Sequence, residues 1–131
     1  MGHRILVTDD TAFMRLLLQK ILTEGGYDVV GEADNGKEAV RLFERHRPDL
    51  VTMDITMPIL NGVEALKRIR AVDPDARVLM VSAMGQKNMV MQALREGAQG
   101  FLIKPFEKEK VLQAVAEVLA TPEDPPSPET P

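Results

Sequence analysis

Five residues with chemistry in them stand where short apolar runs give out. Asp9 and Asp10 follow "RILVT", Asp54 closes "PDLVTMD", Ser82 follows "RVLMV", and Lys104 follows "GFLI". If the runs lie side by side, three carboxylates, one hydroxyl and one ammonium share an edge. At about 4 Å and an effective dielectric near 20, each carboxylate pair costs roughly 4 kcal/mol. Something positive must offset that repulsion. Lys104 is one source and a hard divalent cation is the other. The set offers only oxygen ligands, with no His or Cys, so Mg2+ is the expected ion. Mg2+ takes one or two carboxylates and keeps room for phosphate oxygens, which leaves Asp54 free to act as a nucleophile. Taken singly, each residue has a plainer reading. Asp10 or Ser82 could cap a helix, and Lys104 could be an ordinary surface lysine. Such residues at four of the five strand ends argue against coincidence.

The elements that must position these residues alternate. The runs "ILV", "LVTM", "VLMV" and "FLI" are nearly continuous in hydrophobicity, as strands covered on both faces are. Between them lie segments of helical period. "AFMRLLLQKILTEGG" carries Phe13, Leu17 and Ile21 on one face and stops at Gly25-Gly26. "YDVVGEA" is the remaining strand. "NGKEAVRLFERH" begins with Asn35 as cap and Glu38 as return acceptor. "GVEALKRIRAV" ends at Asp73-Pro74, and "QKNMVMQALREG" has Gly97 past its end. "EKEKVLQAVAEVLA" turns Val111, Leu112, Val115, Val118 and Leu119 inward. Five β–α units in a row predict an α/β fold, with five parallel strands and helices on both faces. Ligands of such sheets sit beyond the carboxyl ends of the strands, where the five residues stand.

Composition narrows the classes. The chain has 131 residues, 44% of them hydrophobic and 27% charged, which suits one globular domain over residues 1–120. The net charge of −4 argues against a nucleic-acid or anionic-membrane partner. There is no cysteine, hence no disulfide or thiolate metal site. No run approaches the ~20 apolar residues of a membrane span. The start, "MGHRILVTDD", reaches acids too early for a signal peptide and lacks the Ser or Thr of a myristoylation pattern. These features suit a cytoplasmic monomer. The last ten residues hold five prolines and three acids, so 121–131 is expected to be a disordered tail.

The set Asp9-Asp10, "MDITMPILNG" around Asp54, Ser82-Ala83 and Lys104-Pro105 resembles the receiver domain of bacterial response regulators, from about Arg4 to Ala120. "AFMR", "TMDITMP", "SAMGQ" and "KPF" look most like its stand-alone chemotaxis members. The resemblance implies the (βα)5 flavodoxin-like strand order 2-1-3-4-5. It implies that Asp54 accepts a phosphoryl group from the phosphohistidine of a histidine kinase, here CheA-like. Asp10, Asp54 and the backbone carbonyl of Thr56 would hold Mg2+, with Asp9 acting through water. Lys104 and Ser82 would meet phosphoryl oxygens, and Pro105 would follow a cis peptide. Ser82 and Phe101 match switch positions; Phe101 offers packing but no hydroxyl. Thr56 and Met84 fall where relatives tune attack by water, and neither suits that task, so a long-lived phosphoryl group is expected. The acyl phosphate adds about two negative charges and three acceptor oxygens, and phosphoryl transfer asks mainly for positioning and neutralisation.

No output domain is recognisable, so output is expected through a bound partner. Lys87, Met91 and Arg95 recur at i, i+4, i+8 on the fourth helix, a face for an acidic or amphipathic peptide. By resemblance the partner is a FliM-like flagellar motor switch protein. The alternative within signalling is a phosphorelay intermediate or a regulator of another two-component pathway. Two further classes fit less well. An aspartate-nucleophile phosphohydrolase carries a second acid two residues on, where this chain has Thr56. A flavin or nucleotide carrier needs a phosphate-cradling first loop, where this chain has two acids and only 4% aromatics overall.

Overall fold

A computed structural model describes residues 2–120; the tail expected at 121–131 lies outside them. The elements alternate as β1 (Arg4–Thr8), α1 (Ala12–Glu24), β2 (Asp28–Ala33), α2 (Gly36–His46), β3 (Leu50–Asp54), α3 (Gly62–Val72), β4 (Val78–Ser82), α4 (Lys87–Arg95), β5 (Gly100–Ile103) and α5 (Lys108–Ala120). All strand pairs are parallel, in the order β2-β1-β3-β4-β5. Every residue of β3 and β4 is buried, as central strands with helices on both faces require.

The sheet divides the core in two. Leu6, Val51, Met53, Val78 and Met80 face α2, α3 and α4, around Phe43, Leu66 and Ala93. Ile5, Val7, Leu50, Leu79 and Leu102 face α1 and α5, around Leu18, Leu22, Val111 and Val115. Alternation along each strand assigns the end residues to these layers. Asp54 shares its parity with Leu50 on the α1/α5 side, and Ser82 with Val78 and Met80 on the α4 side.

Three local expectations need correction. Phe13 does not join the inner face of α1; it is 73% exposed, whereas Ile21 is buried as expected, together with Leu18 and Leu22. The strand turns into α1 at Thr11, which rotates the inward stripe away from Phe13. β5 is not covered on both faces. It is an edge strand, and Phe101 and Ile103 stand about half exposed on its α4 side. Asn35 does cap α2 by accepting from the Glu38 amide at 2.9 Å, but the Glu38 carboxylate pairs with Arg41 rather than turning back.

Candidate functional site

At the carboxyl edge of the sheet, strand pairing brings the chemistry together. Thr8 pairs with Met53, Asp54 with Val81 and Ser82 with Ile103. One carboxylate oxygen from each of Asp9, Asp10 and Asp54 falls within 4.8 Å of the others. Asp9 is fully buried and Asp54 nearly so, whereas Asp10 is exposed.

The two neighbouring aspartates are held differently. Asp9 accepts from the Thr11 amide at 2.9 Å and the Thr11 hydroxyl at 3.0 Å, and its other oxygen takes the Lys104 ammonium at 3.0 Å. Arg15 donates to the Asp9 carbonyl at 2.7 Å and pairs with Glu32, which fixes the turn into α1. The cap of α1 is Thr11, whose hydroxyl accepts from the Met14 amide. Asp10 is thereby freed from capping and left at the mouth of the cluster.

Lys104 also lies 3.6 Å from Asp54. Its peptide bond to Pro105 is cis. Burial lowers the Lys104 pKa, but the hydrogen bond to Asp9 and the charges of Asp54, Asp9 and Asp10 outweigh it and raise the net value. Asp54 is pushed up to about 6, first by burial, then by the charge of Asp9, with Asp10 adding to both against the opposing pull of Lys104. A buried carboxylate crowded by two others, with one ammonium to serve three, is short of positive charge. The all-oxygen donor set fits a hard divalent ion.

Ser82 is buried, and its hydroxyl reaches only the Leu102 carbonyl at 3.5 Å, a weak hold. The loop after Asp54 is set by close packing. A Cβ at Gly62 would meet the Asp54 carbonyl oxygen at 2.1 Å, and one at Gly36 would meet the Leu60 carbonyl oxygen at 2.1 Å. Gly62 donates to Ile55 at 2.8 Å and Gly36 to Leu60 at 2.9 Å, tying the loop to β3 and α2. Between them the Leu60 amide donates to Pro58 at 2.7 Å across Ile59, whose φ of 69° is unusual for a β-branched residue.

Thr56 and Met84 are both exposed at the rim. Lys87 and Met91 line a groove of about 570 Å³ between α4 and β5, together with Val90, Leu94, Phe101 and Ile103. Arg95, the third residue expected on that face, is exposed but does not line the groove. Three residues without an assigned part prove central. Val90 and Leu94 supply the groove floor, as the apolar positions one short of Met91 and Arg95 could have indicated. Gln86 bridges two loops of the site; the signal for it was a glutamine in the cap position of α4, where Ser, Thr, Asp or Asn is usual.

Comparison with known proteins converges on one family. The model of the response regulator receiver domain matches residues 5–116. The chemotaxis protein CheY of Bacillus subtilis is 51% identical over 119 residues, covering 91% of this chain and 99% of that protein. CheY of Thermotoga maritima is 50% identical over 118 residues, covering 90% and 98%. Among solved structures, the CheX–CheY–BeF3–Mg2+ complex of Borrelia burgdorferi superposes with a TM-score of 0.87 at 38% identity, covering 91% of this chain and 90% of that one. The acid triad is placed as the Mg2+ site of receiver domains is. Fold, strand-end chemistry and relatives agree that this chain belongs to the response regulator receiver domain family and is closely related to its CheY-like members.

Proposed function

We propose that the protein takes a phosphoryl group on Asp54 from a CheA-like histidine kinase and passes the signal to a FliM-like flagellar motor switch protein. As a receiver domain it is a phosphoacceptor rather than an enzyme with a turning-over substrate. The observation that carries the reading is the Asp54 carboxylate, nearly buried at the end of β3 among Asp9, Asp10 and Lys104. Around neutral pH most of it is ionised and able to attack. An Asp54 carboxylate oxygen bonds to phosphorus as the P–N bond of the donor phosphohistidine breaks. The electron pair stays on the imidazole nitrogen, and with the donor ring protonated on its other nitrogen the imidazole leaves neutral. Asp10, Asp54 and the Thr56 carbonyl would hold Mg2+, with Asp9 acting through water, and the ion would supply charge neutralisation at the phosphoryl oxygens. Lys104 gives one phosphoryl oxygen an ammonium partner, and Ser82, loosely held, turns its hydroxyl to another.

Movement of Ser82 acts on the α4 side of the sheet, where Phe101 and the groove lie. Lys87 at the rim and Met91 within it suit an amphipathic peptide with acidic residues. The high identity with chemotaxis CheY proteins supports the motor switch as that peptide's source. On this reading the protein works as a cytoplasmic monomer; among the described residues no helix is long and apolar enough to cross a membrane.

Incubation with acetyl phosphate and Mg2+ should give one phosphoryl group per chain, mapped to Asp54 and lost on chelation or in Asp54→Asn. A motor-switch peptide should bind the beryllofluoride-loaded protein more tightly than the free one. Retention of a phosphotransfer protein instead of that peptide would assign the chain to a phosphorelay.

A further inference from the structure

Gln86 precedes α4, yet its side chain makes no capping bond to that helix. It reaches across the mouth of the site instead. Its Oε1 accepts from the Ala83 amide at 2.7 Å, and its Nε2 donates to the Thr56 hydroxyl at 2.6 Å. The orientation of the amide is settled by chemistry, because a backbone N–H only donates and must therefore face the oxygen. Thr56 lies two residues beyond Asp54, and Ala83 directly follows Ser82. The side chain thus ties the loop after β3, which begins at the phosphoacceptor, to the loop after β4. Gln86 also lines the α4–β5 groove beside Met84 and Lys87.

An acyl phosphate on Asp54 brings three new acceptor oxygens. The Ala83 amide is a donor just past the end of β4, the strand that pairs with β3, next to the Ser82 hydroxyl. In this structure the Gln86 oxygen occupies it. One N–H cannot serve two acceptors well, so Gln86 must release Ala83 before that amide can turn to a phosphoryl oxygen. Release also frees Gln86, which lines the groove.

We propose that Gln86 is a positioning residue: a latch that holds the β3–α3 and β4–α4 loops together in the unphosphorylated protein and competes with the phosphoryl group for the Ala83 amide. The proposal rests on Asp54 carrying the phosphoryl group. The latch resists phosphorylation and transmits it. Its opening is the step by which a change at Asp54 reaches α4.

The test uses the full chain, Mg2+ and beryllofluoride, with binding followed through backbone amide NMR signals. Gln86→Ala should bind beryllofluoride about three- to tenfold more tightly than wild type, the worth of an exposed hydrogen bond or two. Thr56→Val keeps the backbone carbonyl but removes the other anchor, and should shift affinity in the same direction. The double variant should bind no more tightly than Gln86→Ala alone, because both changes open one latch. The ligand-free Ala83 amide signal of Gln86→Ala should move away from its wild-type position. Equal or weaker binding by Gln86→Ala, or a lowered melting temperature with unchanged affinity, would overturn the latch. Failure of wild type itself to bind beryllofluoride would instead remove the phosphoacceptor reading beneath it.

Discussion

Asp9 and Asp10 are chain neighbours with opposite surroundings. Asp9 is buried and held by Thr11 and Lys104, while Asp10 is exposed at the mouth of the cluster. Asp10→Ala should therefore abolish Mg2+-dependent phosphorylation of Asp54 and leave the fold intact, as judged by calorimetric Mg2+ titration beside a circular dichroism melt. Asp54 makes a pH prediction whose sign is unusual for an aspartate. Its folded value, about 6, lies above the ordinary 3.8. Between those values the folded protein holds a proton that the unfolded chain has released, so this contribution to stability is full below about pH 4 and lost as pH rises through 6. In chelator, Asp54→Asn should gain on wild type across that window, by on the order of 1 kcal/mol after solvent screening. Urea midpoints from pH 4 to 7.5 would show the gap widening, and saturating Mg2+ should close it. At the rim, Met84 is exposed and can neither orient nor activate water. Met84→Glu should shorten the phosphoryl lifetime several-fold, read from the decay of radiolabelled protein.

The loops between elements decide how well these side chains are aimed. Gly62 opens α3 against the Asp54 carbonyl with no room for a Cβ. Gly62→Ala should cost roughly 2 kcal/mol or more in urea denaturation and weaken Mg2+ binding, because the strain falls on the phosphoacceptor's own backbone. The elements themselves were legible in the sequence. The α3 boundaries Gly62–Val72 follow from the helical period and the Asp73-Pro74 stop. Asp9, Asp10, Asp54, Ser82 and Lys104 were legible because each ends a strand. Phe13 was not, since its exposure depends on which residue caps α1, and Thr11 and Asp10 compete for that place on sequence alone. Nor was the half exposure of Phe101 and Ile103, because apolar runs do not reveal which strand lies at the edge. Gln86 escaped for a related reason: its partners, Ala83 and Thr56, meet only when β3 and β4 pair.

Across the whole molecule the sheet separates two apolar layers, and the site straddles their shared edge. Asp54 belongs to the α1/α5 side, whereas Ser82 and the groove belong to the α4 side. On the proposed function, a peptide seated in the groove and a beryllofluoride group on Asp54 act as two ligands of one equilibrium. Linkage then fixes a symmetry that neither site shows by itself. Whatever factor beryllofluoride adds to the peptide's affinity, the peptide must add to beryllofluoride's. Isothermal titrations in both orders should return the same factor, and unequal factors would mean that more than these two ligands enters the cycle. An output partner is then also an effector: its local abundance sets how readily this domain holds its signal.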